Sequence, residues 1–264
     1  MDVRSLGFRT DLALLESAGS QIEDRGELVV VRTPDNPQFY WGNFFLLAAP
    51  PAPDAVAGLI EDYDRTFPDS RHRAMGVDGT EDQSRTLGPL LDAGFTLDPG
   101  TVMTASSTHE PPRPNRDATY RRLVSDDDWE QRVELAAACN DDHEPETYRL
   151  FAERKAASER GRVEAGHGAW WGAFLDGRLL STMGLFTASP GLARFQSVET
   201  HPEARGRGLA GTLVHAVSSY GFDELGADTL VMVADPDYLA IRVYRSVGFT
   251  DAEHQTQIEQ RQRT

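Results

Sequence analysis

The chain has 264 residues, 39% of them hydrophobic, enough to build one large core or two small ones. Its formal net charge of −16 argues against general nucleic-acid binding, because phosphate recognition needs a positive surface, and favours cationic partners. No apolar stretch approaches membrane-spanning length, the first residues (Asp2, Arg4, Arg9) lack the apolar core of a secretory signal, and a lone Cys139 excludes an intramolecular disulfide.

The expectation is therefore a cytoplasmic protein with neither a membrane nor a nucleic-acid partner. His109, His167, His201 and His254 have no ligand-like spacing with Asp or Glu, so no metal is expected. Cys139 follows the apolar run Leu135–Ala138 and reads as a small buried hydrophobe rather than a nucleophile.

In chain order, Glu27–Val31 and Trp41–Leu47 read as strands, and a helix is expected around Ala55–Tyr63. The segment His109–Arg116 is rich in proline and polar residues and reads as a stiff connector. It divides the chain into domains 1–108 and 117–264, with the linker at 109–116. Beyond it, Ala118–Leu123 is a strand, and Ser125 with Asp126, Asp127 and Asp128 caps a helix starting near Trp129. An acidic run, Asp141-Asp142-His143-Glu144-Pro145-Glu146, precedes a helix expected over Thr147–Glu159. It is either a solvated loop or a wall that attracts a cationic acceptor. Trp170–Leu175 and Leu179–Phe186 flank Asp176-Gly177, a hairpin signal.

The most informative stretch comes next. Phe195–Thr200 reads as a strand, and Leu209, Leu213, Val217 and Tyr220 recur at helical spacing. Between them lies Glu199-Thr200-His201-Pro202-Glu203-Ala204-Arg205-Gly206-Arg207-Gly208-Leu209-Ala210. Its glycines allow a tight turn that aims backbone N–H groups inward at a helix N-terminus, a geometry that binds an anion. A plain strand-to-helix turn with a salt-bridging arginine is the other reading of this stretch taken alone. The strand Leu230–Ala234 follows, broken by Asp235-Pro236-Asp237, and then a short helix with Ala240, Ile241, Val243, Tyr244 and Val247, which Gly248 ends.

At the strand-to-helix junction, Arg205-x-x-Gly208-x-Ala210 resembles the pyrophosphate loop of the GNAT family of N-acetyltransferases, and the block around Tyr244 resembles the family's last helix. The resemblance is specific over 195–250, and it implies an α/β fold with a mixed, mostly antiparallel sheet flanked by helices. It implies acetyl-CoA as cosubstrate, with Arg205, Gly206, Arg207, Gly208, Leu209 and Ala210 holding its diphosphate. The strand around Val198 and Thr200 would pair with the pantetheine arm, and Tyr244 would protonate the leaving thiolate. Glu199 is the candidate base, with a solvated glutamate and a water relay as alternatives. Tyr244 is otherwise a packing tyrosine. Where the family often has asparagine seven residues before this tyrosine, the chain has Asp237.

The first half reads as a worn copy of the second. Gly94-Phe95-Thr96 repeats Gly248-Phe249-Thr250 at an offset of 154 residues. At that offset Tyr244 falls on Leu90, and Gly208 falls on Asp54 at the end of the proline-rich Pro50-Pro51-Ala52-Pro53-Asp54, where proline lacks an N–H and aspartate repels phosphate. The resulting expectation is two tandem acyltransferase-like domains, the first degenerate and the second transferring acetyl from acetyl-CoA to a primary amine of a cationic small molecule or peptide. The alternative is a non-catalytic CoA-binding regulatory or scaffold protein. A nucleotide phosphate loop is disfavoured because no Lys-Ser/Thr pair follows the glycines.

Overall fold

A computed structural model describes residues 1–140 and 144–261. In chain order the elements are α1 (Leu6–Ser17), β1 (Gln21–Asp24), β2 (Leu28–Arg32), β3 (Phe44–Leu47), α2 (Val56–Thr66), β4 (His72–Val77), α3 (Gly88–Asp92), β5 (Thr96–Leu97) and β6 (Gly100–Ala105). They continue with β7 (Thr119–Arg122), α4 (Asp126–Ala138), α5 (Pro145–Glu164), β8 (Gly168–Leu175), β9 (Arg178–Ser189), β10 (Leu192–Thr200), α6 (Leu209–Asp223), β11 (Thr229–Ala234), α7 (Ala240–Arg245) and β12 (Thr250–Arg261). Mixed sheets flanked by helices result, the expected fold class.

The chain forms two compact units, and neither is one contiguous segment. Among the described residues the first holds 1–102, 233–236 and 252–261; the second holds 103–140, 144–232 and 237–251. The expected limits of 1–108 and 117–264 differ from this division: residues 103–108 fall in the second unit and 233–236 in the first. The connector belongs with the second unit, and the end of the chain returns to the first, where β12 pairs antiparallel with β4 from Thr256↔Val77 to Arg261↔His72.

In the first unit β1, β2 and β3 pair antiparallel, and α2 carries the chain over to β4, parallel to β3. Alternation along β2 sends Val30 into one core with Phe45, Tyr63, Met75, Leu90 and Ile258. Val29 and Val31 enter another core with Phe8, Phe44 and Leu46. The expected strand Trp41–Leu47 starts late, because Tyr40–Gly42 is a single 3-10 turn. Asn43 enforces that turn: its amide donates to the carbonyls of Asn36 and Phe39 and accepts from the Thr33 N–H.

In the second unit β7, β8, β9 and β10 pair antiparallel, and α6 crosses over to β11, which runs parallel to β10. The order of antiparallel strands followed by one parallel crossover thus occurs in both units. Asp176 and Gly177 form the two-residue β8–β9 turn with φ of +51° and +79°, the left-handed pair that such a hairpin requires. Trp170 packs toward α4 through Trp129, and its neighbour Trp171 packs toward α6 through Tyr220.

Ser125 and Asp128 form a reciprocal capping box at the start of α4. Arg121 grips Asp128 with two hydrogen bonds of 2.7 and 2.8 Å, and these, with the N–H groups of Val124 and Ser125, hold the Asp128 carboxyl well below its usual range. Its stabilisation is complete above about pH 4 and is lost as pH falls through the depressed folded value. Asp128→Asn is expected to cost about 1 kcal/mol at pH 7, with the gap from the parent closing as thermal melts are taken toward pH 3. A gap independent of pH would contradict a charged cap.

Candidate active site

The bond pattern of β10 changes along its length. Its parallel pairing with β11 covers Leu192↔Thr229 to Arg194↔Val231 only, while pairing with β9 continues to Thr200↔Ser181. Past Arg194, therefore, the β11 side of the strand has no ladder partner among the described residues. The register against β9 slips between Gln196 and Glu199, and within that slip Ser197 has φ of +44°, a left-handed conformation that side chains other than glycine rarely take. Lys155 on α5 donates to Ser197 Oγ at 2.9 Å. Val198 lies in the same gap.

Beyond Thr200 the chain makes one 3-10 turn at Pro202–Ala204, started by His201, whose Nδ1 accepts from the Glu203 N–H. Gly206 and Gly208 follow with φ of +74° and +79°. Among the described residues no acceptor meets the N–H groups of Gly206, Arg207, Gly208, Leu209, Ala210 or Gly211. These six successive donors stand at the positive end of a 15-residue helix with no acidic residue in its first turn, an end that favours negative charge.

Residues 128–249 match the acetyltransferase (GNAT) family. The chain also has the fold of solved structures along nearly its whole length. One is a conserved protein of unknown function from Staphylococcus epidermidis, at TM-score 0.72 and 12% identity, covering 91% of this chain and 93% of that one. Another is a GCN5-related N-acetyltransferase from Kribbella flavida, at TM-score 0.65 and 15% identity, covering 97% and 95%. A third is a tandem GNAT protein of the clavulanic acid biosynthesis pathway, at TM-score 0.57 and 14% identity, covering 93% and 84%. No curated protein matches significantly.

The GNAT-like segment brings the expected loop and the open strand edge together through direct chain continuity. Arg205 turns back, its Nε donating to the Thr200 carbonyl at 3.3 Å, so it braces the loop against the strand end. The Thr200 hydroxyl bonds Ser181 Oγ at 2.8 Å. Cys139 caps α4 and is only half-buried, with Sγ 3.5 Å from that same Thr200 carbonyl, rather than a core hydrophobe.

Tyr244 is buried on α7, and its hydroxyl has no hydrogen-bond partner among the described residues. Burial, aided by the neighbouring Tyr238, pushes the phenol above its ordinary value, so it keeps its proton at neutral pH. The carbonyl of Tyr244 accepts from the N–H groups of Val247 and Phe249, and Gly248 takes the left-handed position that closes the helix.

Glu199 does not stand alone. Arg132 of α4, 2% exposed along its side chain, places Nη1 3.5 Å from Glu199 Oε2 and Nη2 3.1 Å from Glu159 Oε2, with its guanidinium 4.7 Å from the Trp170 ring centroid. Burial pushes Glu159 up against the pull of Arg132. Tyr148 joins the group: burial first, and then the charge of Glu199, push its phenol up to about 12. Sequence reading missed Arg132, Glu159 and Tyr148, because helical charges are ordinarily solvated and only the packing of α4 and α5 shows that these are not.

Of the acidic run, Asp141, Asp142 and His143 lie outside the described residues. Glu144 is spent on structure, accepting from the N–H groups of Glu146 and Thr147 to cap α5. That cap, with Pro145 in the first turn, starts the helix two residues before the expected Thr147. In the first unit, β3 and β4 stay paired through Leu47↔Val77, the turn before α2 is Pro53–Ala55 with Asp54 in it, and Leu90 is buried in the core. No corresponding strand opening is formed there among the described residues.

Proposed function

We propose that the GNAT-like segment binds acetyl-CoA and transfers its acetyl group to a primary amine by direct attack. The observation that carries this reading is the run of six unpaired N–H groups directly after the open edge of β10. The loop from Arg205 to Ala210 would hold the diphosphate through backbone donors and the α6 dipole, with Arg207, exposed beside it, adding charge. The free edge of β10 around Val198 would take the pantetheine arm as an added strand.

The attacking amine must be neutral. Glu199, paired with Arg132 at 3.5 Å, would receive its proton directly or through water. A strand amide near the bulge would donate to the carbonyl oxygen as negative charge develops there. Tyr244, protonated at neutral pH, would deliver a proton to the departing sulfur. The acceptor would be a cationic small molecule or peptide, in keeping with the acidity of the chain. In this reading the first unit is a degenerate copy whose proline-rich turn does not bind the cofactor.

Calorimetric titration with acetyl-CoA tests the assignment, and one site per chain is expected. No binding would overturn it, two sites would overturn the degenerate reading of the first unit, and binding without turnover across cationic amines would favour the non-catalytic alternative.

A further inference from the structure

The connector Pro111–Arg116 is more than a spacer, because it lies on the anion loop. A β-carbon built on Gly208 would stand 2.5 Å from the Arg113 carbonyl oxygen and 3.3 Å from the Asn115 nitrogen, and one on Gly211 would stand 3.2 Å from Pro111 Cβ. Asn115 makes the decisive contact. Its Nδ2 donates to the Arg207 carbonyl at 3.0 Å, and its backbone N–H donates to Thr212 Oγ1 at 2.9 Å.

Asn115 is itself held on every side. Its Oδ1 accepts from the N–H groups of Asp117 and Ala118 at 3.1 and 3.0 Å, and its carbonyl accepts from the Tyr120 hydroxyl at 3.1 Å. Thr212, in turn, donates through both N–H and Oγ1 to the Gly208 carbonyl, at 3.2 and 2.9 Å. Two consecutive loop carbonyls, Arg207 and Gly208, are thereby tied to fixed donors.

The consequence follows from peptide geometry. In a planar trans unit the C=O and N–H point in opposite directions. Tying the Arg207 carbonyl to the connector therefore turns the Gly208 N–H away from it, and tying the Gly208 carbonyl does the same for the Leu209 N–H. The need for such a tie is local: glycine adopts either sign of φ with little penalty, so the 207–208 peptide, whose flip reverses φ at Gly208, would otherwise turn over and present an oxygen to the anion.

We propose that Asn115 is a positioning residue for the cofactor site, a clamp that orients the 207–208 peptide so that its N–H faces the diphosphate. This rests on the reading of the loop as the diphosphate site. Asn115→Ser keeps a short acceptor for the turn at 117–118 but cannot reach Arg207, and it adds no charge. In the ligand-free protein the 15N order parameters of Gly206, Arg207 and Gly208 are expected to fall from about 0.85 to below about 0.6, with the melting temperature little changed.

Calorimetry with coenzyme A should show roughly a fivefold weaker Kd, the scale of one hydrogen bond. The KM for acetyl-CoA should rise by the same factor at unchanged kcat. Asn115→Asp, which sets a carboxylate oxygen against the Arg207 carbonyl, should be weaker still. Unchanged order parameters in Asn115→Ser, or unchanged coenzyme A affinity in a parent that binds, would overturn the clamp. A parent that does not bind coenzyme A would overturn the diphosphate assignment instead, and the order parameters would still decide whether Asn115 holds the loop.

Discussion

Replacing Gly208 by aspartate is expected to abolish acetyl-CoA binding, with affinity falling more than about a hundredfold, since a carboxylate within a few ångströms of a diphosphate costs several kcal/mol in a partly desolvated site. Two effects combine in this variant. Gly208 has φ of +79°, where any other residue is strained by about 1–3 kcal/mol, and its β-carbon would meet the Arg113 carbonyl oxygen at 2.5 Å. The variant should therefore also melt at a lower temperature and displace the connector. Gly206→Asp separates charge from shape: Gly206 has a similar φ of +74° but nothing within 4 Å of a built β-carbon. It should weaken binding at least tenfold with a smaller loss of stability. Parent-like affinity of both variants by calorimetry would remove the loop from the binding site.

Tyr244→Phe is expected to lower kcat about a hundredfold, the usual scale for loss of a general acid, with acetyl-CoA affinity unchanged. The fold should be indifferent to the substitution, because the hydroxyl has no partner among the described residues and its removal leaves no donor or acceptor stranded. Thermal melts of variant and parent should coincide. The pH profile adds a second readout. Burial pushes this phenol above the usual tyrosine value, so the acid form persists through neutral and mildly alkaline pH. Any decline of kcat in the parent belongs above the ordinary tyrosine range, and the phenylalanine variant should lack it. Equal turnover in the two proteins would remove Tyr244 from the mechanism and leave solvent as the proton source.

The parts of the candidate site that can be read in the sequence are those built from neighbours along the chain. A turn needing two positive φ angles demands residues such as Asp176 and Gly177, and a helix entered through two positive φ angles demands Gly206 and Gly208. Such demands are local, so they leave a local signature. The short helix holding Tyr244 and its glycine stop are of the same kind. The slip in β10 is different: Ser197 carries no mark of a left-handed residue, and its conformation emerges only with β9 on one side and Lys155 above it.

By itself the sequence determined most element types, the position of the glycine turn before α6 and the lack of N–H donors at positions 50, 51 and 53, since proline removes them wherever the chain is placed. Only the tertiary structure decided that the last strand belongs with β4, that Arg132 is buried between Glu159 and Glu199, and that Asn115 ties the loop. Each of these joins residues far apart in the chain: Ile258 with Met75, Arg132 with Glu199, Asn115 with Arg207. Pairing and burial at such separations depend on which faces meet once both elements exist, and hydrophobic periodicity specifies each face but not its partner.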